Sequence, residues 1–208
     1  MKVELLSYTD LSVCDIAISK CYGKEPYEEL EKQQARINRV ANVSKHASTI
    51  EHLVYSFDID GISRACLQEL ARHRIASYTV KSSRYTLQEL KKEELLSYNE
   101  DVLNLIDSIV SKYCVLTSHN LVNAKIARQL VHLRSILMSG IPNDIAKYCM
   151  PEAYKTSLVM TINARSLQNF LSLRSSKHAL WEIQLLANAM YDCIPGEHKF
   201  LFKEYIND

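Results

Sequence analysis

Glycine is scarce in this chain: Gly23, Gly61, Gly140 and Gly196 are the only four among 208 residues, and none stands near another. A backbone that approaches a diphosphate closely needs glycines at fixed spacing, so neither a G-x-G-x-x-G turn nor a Walker A loop can be drawn. Any phosphate held here must be held mainly by side chains. Arginine suits that task, because its rigid guanidinium fork bonds two phosphate oxygens at once. The chain also lacks internal repeats, low-complexity tracts and Pro/Gly linkers, so residues 1–208 read as a single domain.

Hydrophobic periodicity supplies the elements. "KVELLSY" (2–8) alternates and predicts a short strand, while Cys14, Ala17, Ile18 and Cys21 predict a helix, with helical patterning again over 27–45. "EHLVYSFDI" (51–59) sets Leu53, Tyr55 and Phe57 against Val54, Ser56 and Asp58, the pattern of a strand. Asp60 and Ser63 are N-cap candidates for a helix through Ile62, Ala65, Cys66 and Leu70, whose end delivers Arg72, His73 and Arg74. Residues 87–139 are dominated by helical pattern, at Leu103, Ile106, Ile109 and Val110 and again at Ile126, Leu130, Leu133 and Leu137. "SGIPND" interrupts it, and Asn143 or Asp144 is expected to cap a short helix ending before Pro151. "TSLVMTI" (156–162) resembles a strand, and "NARSLQNFLSLRSSKHALWEIQLLANAM" (163–190) returns to helix. The expected class is α+β, a small sheet with helices around it.

Composition narrows the ligand. Lys plus Arg number 25 against 24 for Asp plus Glu, so little net charge is left to attract a long polyanion, while 47% hydrophobic residues support a real core. The six cysteines (Cys14, Cys21, Cys66, Cys114, Cys149, Cys193) show no C-x-x-C, and "HASTIEH" (46–52) lacks zinc spacing, so neither a disulfide framework nor a metal is expected. No G-x-S-x-G elbow occurs. Cys149, in "KYCMP", has a cation nearby and reads either as an activated thiol or as a buried cysteine. "MKVELLSYTD" lacks an apolar run of signal-peptide length and no segment approaches a membrane span, so a soluble, cytoplasmic protein is expected.

Two stretches concentrate the chemistry. "RHRIASYTVKSSRY" (72–85) holds Arg72, Arg74, Lys81, Arg84 and His73 among hydroxyl groups without a carboxylate. Ser82, Ser83 and Arg84 show little helical period, so their N–H groups and hydroxyls are expected to converge on a phosphate in a loop. The same residues would also serve as a solvated face paired with acids elsewhere, or as an RNA-binding loop with Tyr78 and Tyr85 as stacking groups. In "NARSLQNFLSLR" (163–174), Asn163 is a cap candidate and Leu167, Phe170 and Leu171 form an apolar face, leaving Arg165 and Asn169 together on another. A cation beside an amide suits the edge of a flavin or nucleobase, and Arg174 lies beyond the apolar run.

These residues carry a resemblance. Arg72-His73-Arg74, seven further residues and then Ser82 is similar to the signature of the flavin-dependent thymidylate synthases, with Arg84-Tyr85 following as in that family. "HASTIEH", "NARSLQNFLSLR" and "HALWEI" (178–183) resemble other blocks of the family in order and spacing, across nearly the whole chain. The resemblance implies a small antiparallel sheet with surrounding helices and a homotetramer with its sites between subunits. It implies reductive methylation of dUMP to dTMP in de novo dTMP biosynthesis, through bound FAD. The carbon donor would be 5,10-methylenetetrahydrofolate and the reductant NADPH, with no metal, nucleic acid or membrane partner.

Residue by residue, the resemblance implies FAD contacts at His46, Ser48, Arg72, His73, Arg74, Asn163, Arg165 and Asn169. It implies dUMP contacts at Glu69, Arg72, Lys81, Ser82, Ser83, Arg84, Lys147 and Arg174. Arg174 would be catalytic, lying against the uracil ring and stabilising negative charge as the pyrimidine is activated. Three positions depart from the family pattern: Val80 stands where many members carry Glu, Glu69 where Gln is frequent, and Lys147 where Arg is expected. Lys147 keeps the charge and loses the bidentate fork.

Overall fold

The computed structural model describes residues 1–93 and 109–207; Leu103 and Ile106 of the helical pattern lie outside the described residues. In chain order the main elements are β1 (Lys2–Tyr8), α1 (Leu11–Tyr22), α2 (Leu30–Asn38), β2 (Val54–Ser63), α3 (Arg64–Leu70), β3 (Ala76–Val80) and α4 (Ser83–Lys91). There follow α5 (Asn120–Met138), α6 (Asn143–Ala146), β4 (Lys155–Asn163), α7 (Ala164–Arg174) and α8 (Trp181–Asp192). The strands make one antiparallel sheet in the order β1-β2-β4-β3, giving the α+β class expected from the sequence. β1 pairs with β2 from Lys2↔Asp60 to Tyr8↔Tyr55. The hydroxyls of Ser56 and Thr161 link β2 to β4 at 2.9 Å.

The chain divides into two compact units. The first comprises Met1–Asp60, Glu69–Thr79 and Leu158–Asp208. In it, Asp10 caps α1 by accepting the Ser12 N–H at 2.8 Å, and Gly23 ends the helix with a φ of +61°, which a residue with a side chain adopts at a cost. α1 packs on α2 and on the 3-10 helix Ala47–His52, burying Leu11, Cys14 and Ile18. Tyr55, Phe57 and Ile59 alternate into the core from β2, as the sequence pattern requires. α7 packs against α8, with Leu167, Phe170 and Leu171 fully buried. Each such side chain contributes about 1.5–3 kcal/mol on burial, so this apolar face rather than intrinsic propensity holds α7.

The second unit comprises Gly61–Gln68 and Val80–Ser157. Here α4 packs on α5 and α6, and Leu87, Leu90, Ile126, Leu130, Leu133, Leu137, Ala146 and Tyr154 form one cluster.

Several boundaries differ from the sequence reading, each for a local reason. Glu51 and His52 close a 3-10 helix, and β2 starts later and runs through Asp60 and Ile62 to Ser63, bending at Gly61 with a φ of +77°. Asp60 is therefore not a cap, whereas Ser63 Oγ accepts the Cys66 N–H at 3.0 Å. Ser82, Ser83 and Arg84 open a helix rather than a loop, because Thr86, Leu87 and Leu90 give α4 a buried face. The patterning over 27–45 resolves into α2 and a π turn, Arg39–Val43. The long helical stretch breaks before α5, where Asn123 Oδ1 accepts the Thr117 N–H and Nδ2 donates to Thr117 O. Pro142, not Asn143 or Asp144, occupies the N-cap of α6. The last run splits after Arg174, where Ser175 Oγ donates back to Leu171 O at 2.7 Å.

Candidate active site

A cleft of about 620 Å³ opens in the first unit, walled by the turn Arg72–Ile75, by one face of α7, and by Glu51. Its face on α7 follows from how that helix starts. β4 ends at Asn163 and α7 begins at Ala164 with no loop between them. Asn163 Oδ1 accepts the Ser166 N–H at 2.8 Å, which fixes the first turn. With Leu167, Phe170 and Leu171 buried, Arg165, Asn169 and Leu173 fall at i, i+4 and i+8 on the stripe that lines the cleft.

The opposite wall is pinned by backbone acceptors. After α3 ends, the His73 N–H donates to Leu70 O at 3.1 Å, and the Tyr78 hydroxyl contacts both His73 O at 2.7 Å and Leu70 O at 3.1 Å. The buried His73 ring meets Phe170 edge-on, with centroids 5.0 Å apart. Arg174 Nε donates to His73 Nε2 at 2.9 Å, so His73 is an acceptor there and carries its proton on Nδ1. Burial, then the Arg174 and Arg72 charges, push the imidazole down to about 4, keeping it neutral at ordinary pH. Arg174 Nη1 pairs with Glu69 Oε2 at 2.6 Å and Nη2 donates to Glu69 O at 3.2 Å, while Glu69 Oε1 lies 4.0 Å from Arg72 Nη1. Each carboxylate oxygen thus faces a different guanidinium. On the far side Arg165 Nη1 pairs with Glu51 Oε1 at 2.6 Å.

The lining therefore sets four guanidinium groups (Arg72, Arg74, Arg165, Arg174) and two carboxamides (Asn163, Asn169) against one carboxylate, Glu51. Such a surface suits a ligand with a diphosphate and a heterocycle edge.

Comparison with known proteins supplies the class. Residues 4–197 match the family model described as thymidylate synthase complementing protein. The flavin-dependent thymidylate synthase of Wolinella succinogenes is 52% identical over 206 residues, covering 97% of each chain. That of Campylobacter jejuni is 51% identical over 209 residues, covering 100% of this chain and 98% of its own. The crystal structure of thymidylate synthase X from Helicobacter pylori with FAD and dUMP superposes with a TM-score of 0.92 at 47% identity, covering 100% of both chains. This chain belongs to the flavin-dependent thymidylate synthases.

As a flavin-dependent thymidylate synthase it is an enzyme, and its product is dTMP. Of the residues that the family resemblance singled out, the first cleft gathers Arg72, His73, Arg74, Asn163, Arg165, Asn169 and Arg174. Glu69 backs that wall through Arg174. His46 and Ser48 are exposed at the start of the 3-10 helix Ala47–His52, which packs on α7, yet they do not line the cleft.

The second unit of the synthase holds the others. Lys81 N–H donates to Ser157 O at 2.8 Å, and its ammonium sits 3.3 Å from Glu89 Oε1. Ser82 is the N-cap of α4, and Ser83 and Arg84 form its first turn, which contains no acidic residue. Lys147 is exposed in the turn Lys147–Cys149, which packs on α4, and Asn143 Nδ2 donates to Arg84 O at 2.9 Å.

One contact across the cleft and one behind its wall escaped the sequence reading. Glu51 is 114 positions from its partner Arg165, a separation no periodicity bridges. Tyr78, considered as a base-stacking group, spends its hydroxyl on holding the turn. Cys149 is exposed rather than buried, while Cys14, Cys66 and Cys114 are buried. Among the described residues no three His, Cys, Asp or Glu side chains gather as a metal site, and no helix is long and apolar enough to cross a membrane.

Proposed function

We propose that the cleft of the first unit holds FAD and that the reaction is methylation of dUMP by 5,10-methylenetetrahydrofolate with NADPH as reductant. The donor set carries this reading: the guanidiniums of Arg72, Arg74 and Arg165 and two amides, with one opposing carboxylate, fit a dinucleotide that bears a diphosphate and a heteroaromatic ring, and leave Arg174 for the pyrimidine. When bound, the flavin passes reducing equivalents from NADPH to the transferred one-carbon unit.

The chain's own groups orient and neutralise. Arg72, Arg74 and Arg165 hold phosphate, and Asn163 Nδ2 and Asn169 read the heterocycle edge, with His46 and Ser48 closing the flavin and folate side. His73 stays neutral and steadies the Arg174 fork. Arg174 lies against the uracil ring, where a fixed cation favours the negative charge that develops on the pyrimidine. Glu69 and Arg72 accompany it on the dUMP side. Lys81, Ser82, Ser83, Arg84 and Lys147 take the dUMP phosphate and neighbouring atoms; the start of α4, with no acidic residue in its first turn, favours an anion there. Any contact at Val80 is through its backbone. Residues 1–208 act as a single synthase domain in a cytoplasmic homotetramer whose sites lie between subunits.

The test is dTMP formation from dUMP, 5,10-methylenetetrahydrofolate and NADPH, with and without added FAD. Product that depends on FAD is expected; absence of product from protein shown to bind FAD overturns the reading.

A further inference from the structure

A second cleft, of about 350 Å³, lies in the first unit, and its lining includes Tyr22, Lys24, Tyr27, Arg36, Arg39 and Ser44. None of its lining residues is acidic, and none also lines the first cleft. The floor is built from a buried pair. Arg36, only 8% exposed, stands 3.3 Å from Asp15 Oδ1, donates to Ser19 Oγ and to Glu25 O, and lies 3.7 Å from the Tyr27 ring centroid. Asp15 Oδ2 accepts the Tyr27 N–H at 2.7 Å, so that carboxylate is committed to the floor and fixes Tyr27 in place.

Above this floor the charge is uncommitted. Lys24 and Arg39 are exposed and make no ion pair among the described residues. The π turn Arg39–Val43, closed by the Ser44 N–H on Arg39 O at 2.8 Å, shifts the helical phase, and its first two residues, Arg39 and Val40, line the cleft together with Ser44. The Tyr27 hydroxyl is held below its ordinary pKa, first by Arg36 and then by Lys24 and Lys32, which reports a positive field at this point.

We infer that this cleft is a second anion site, taking an oligoanion whose adjacent phosphates or carboxylates bridge Lys24 and Arg39 while Tyr22 and Tyr27 flank its less polar part. Two sources carry that chemistry. One is the oligo-γ-glutamyl tail of the folate co-substrate, which rests on the function proposed above. The other is a free nucleotide or inorganic oligophosphate, which does not.

The experiment is calorimetric titration of inorganic tripolyphosphate into enzyme already loaded with FAD and dUMP, so that the first cleft is filled. One tripolyphosphate per chain is expected, weakened at least about tenfold in the double variant Lys24→Ala/Arg39→Ala and retained in Lys24→Arg/Arg39→Lys. No binding, or equal affinity in the alanine variant, overturns the site whatever the enzyme's activity proves to be. Comparing KM for mono- and pentaglutamyl methylenetetrahydrofolate then assigns the source. A preference for the longer tail that disappears in the alanine variant identifies the folate; tripolyphosphate binding without any tail preference identifies a free phosphate ligand.

Discussion

Arg174 Nε donates to His73 Nε2 at 2.9 Å, and the same guanidinium reaches the Glu69 carboxylate at 2.6 Å. The arginine is thereby held on two edges by groups from the end of α3 and the turn after it. Replacing it with alanine is expected to lower dTMP formation at least about a hundredfold, the scale of losing one preorganised charge donor. FAD absorbance after gel filtration should stay unchanged in Arg174→Ala. A variant that makes dTMP at the normal rate removes Arg174 from the chemistry.

The neutral state of His73 makes stability pH-dependent. Its folded pKa is pushed from 6.5 to about 4, so below about pH 6.5 the unfolded chain takes up a proton that the folded chain refuses. Stability is therefore complete above that value and falls between about pH 6.5 and 4. Burial moves His198 in the same direction, so His73 supplies part of the loss. Urea unfolding of the FAD-free protein at pH 7 and pH 5 should show a smaller difference in His73→Asn than in the parent. An identical difference in both proteins counts against the assignment.

Asn163 combines two jobs that substitution can separate. Asn163→Ala removes the cap on α7 and should cost about 1 kcal/mol. Asn163→Asp retains a capping oxygen but no Nδ2 donor, so stability should hold while FAD affinity falls several-fold. Thermal melts of the FAD-free proteins beside FAD titrations measure the two effects; parallel losses in both variants contradict the split.

Lys147 offers one point charge where a fork would bind two phosphate oxygens. Lys147→Arg should lower KM for dUMP several-fold with little change in kcat, since phosphate contacts present in both ground and transition states act as uniform binding. Steady-state kinetics at varied dUMP decides it, and a raised KM argues that Lys147 lies away from the phosphate.

Much of the fold was legible because its signals are local. The alternation of Tyr55 and Phe57 located β2, and Asn163 followed by Leu167, Phe170 and Leu171 located both the start and the buried face of α7. What escaped depended on distant residues or on backbone conformation. Gly61 carries β2 past the expected helix start, and the pairing of Glu51 with Arg165 joins segments with no shared pattern. In the site, Arg165 and Asn169 were legible as one helical stripe. The Glu69–Arg174–His73 arrangement was not, because it requires knowing that the end of α7 meets the end of α3.

The direct passage of β4 into α7 also bears on how such a chain can diverge. With Asn163 the last strand residue and Ala164 the first of the helix, no slack exists to absorb an extra residue. One inserted amino acid would turn the helix by about 100° and carry Arg165 and Asn169 off the cleft together, while sending Leu167 and Phe170 out of the core. A substitution along this segment therefore disturbs one contact, whereas a change in its length displaces the cleft face and the buried face at once. Across sequences that keep the reaction, the spacing from β4 to Arg174 should be more constant than the residues that fill it.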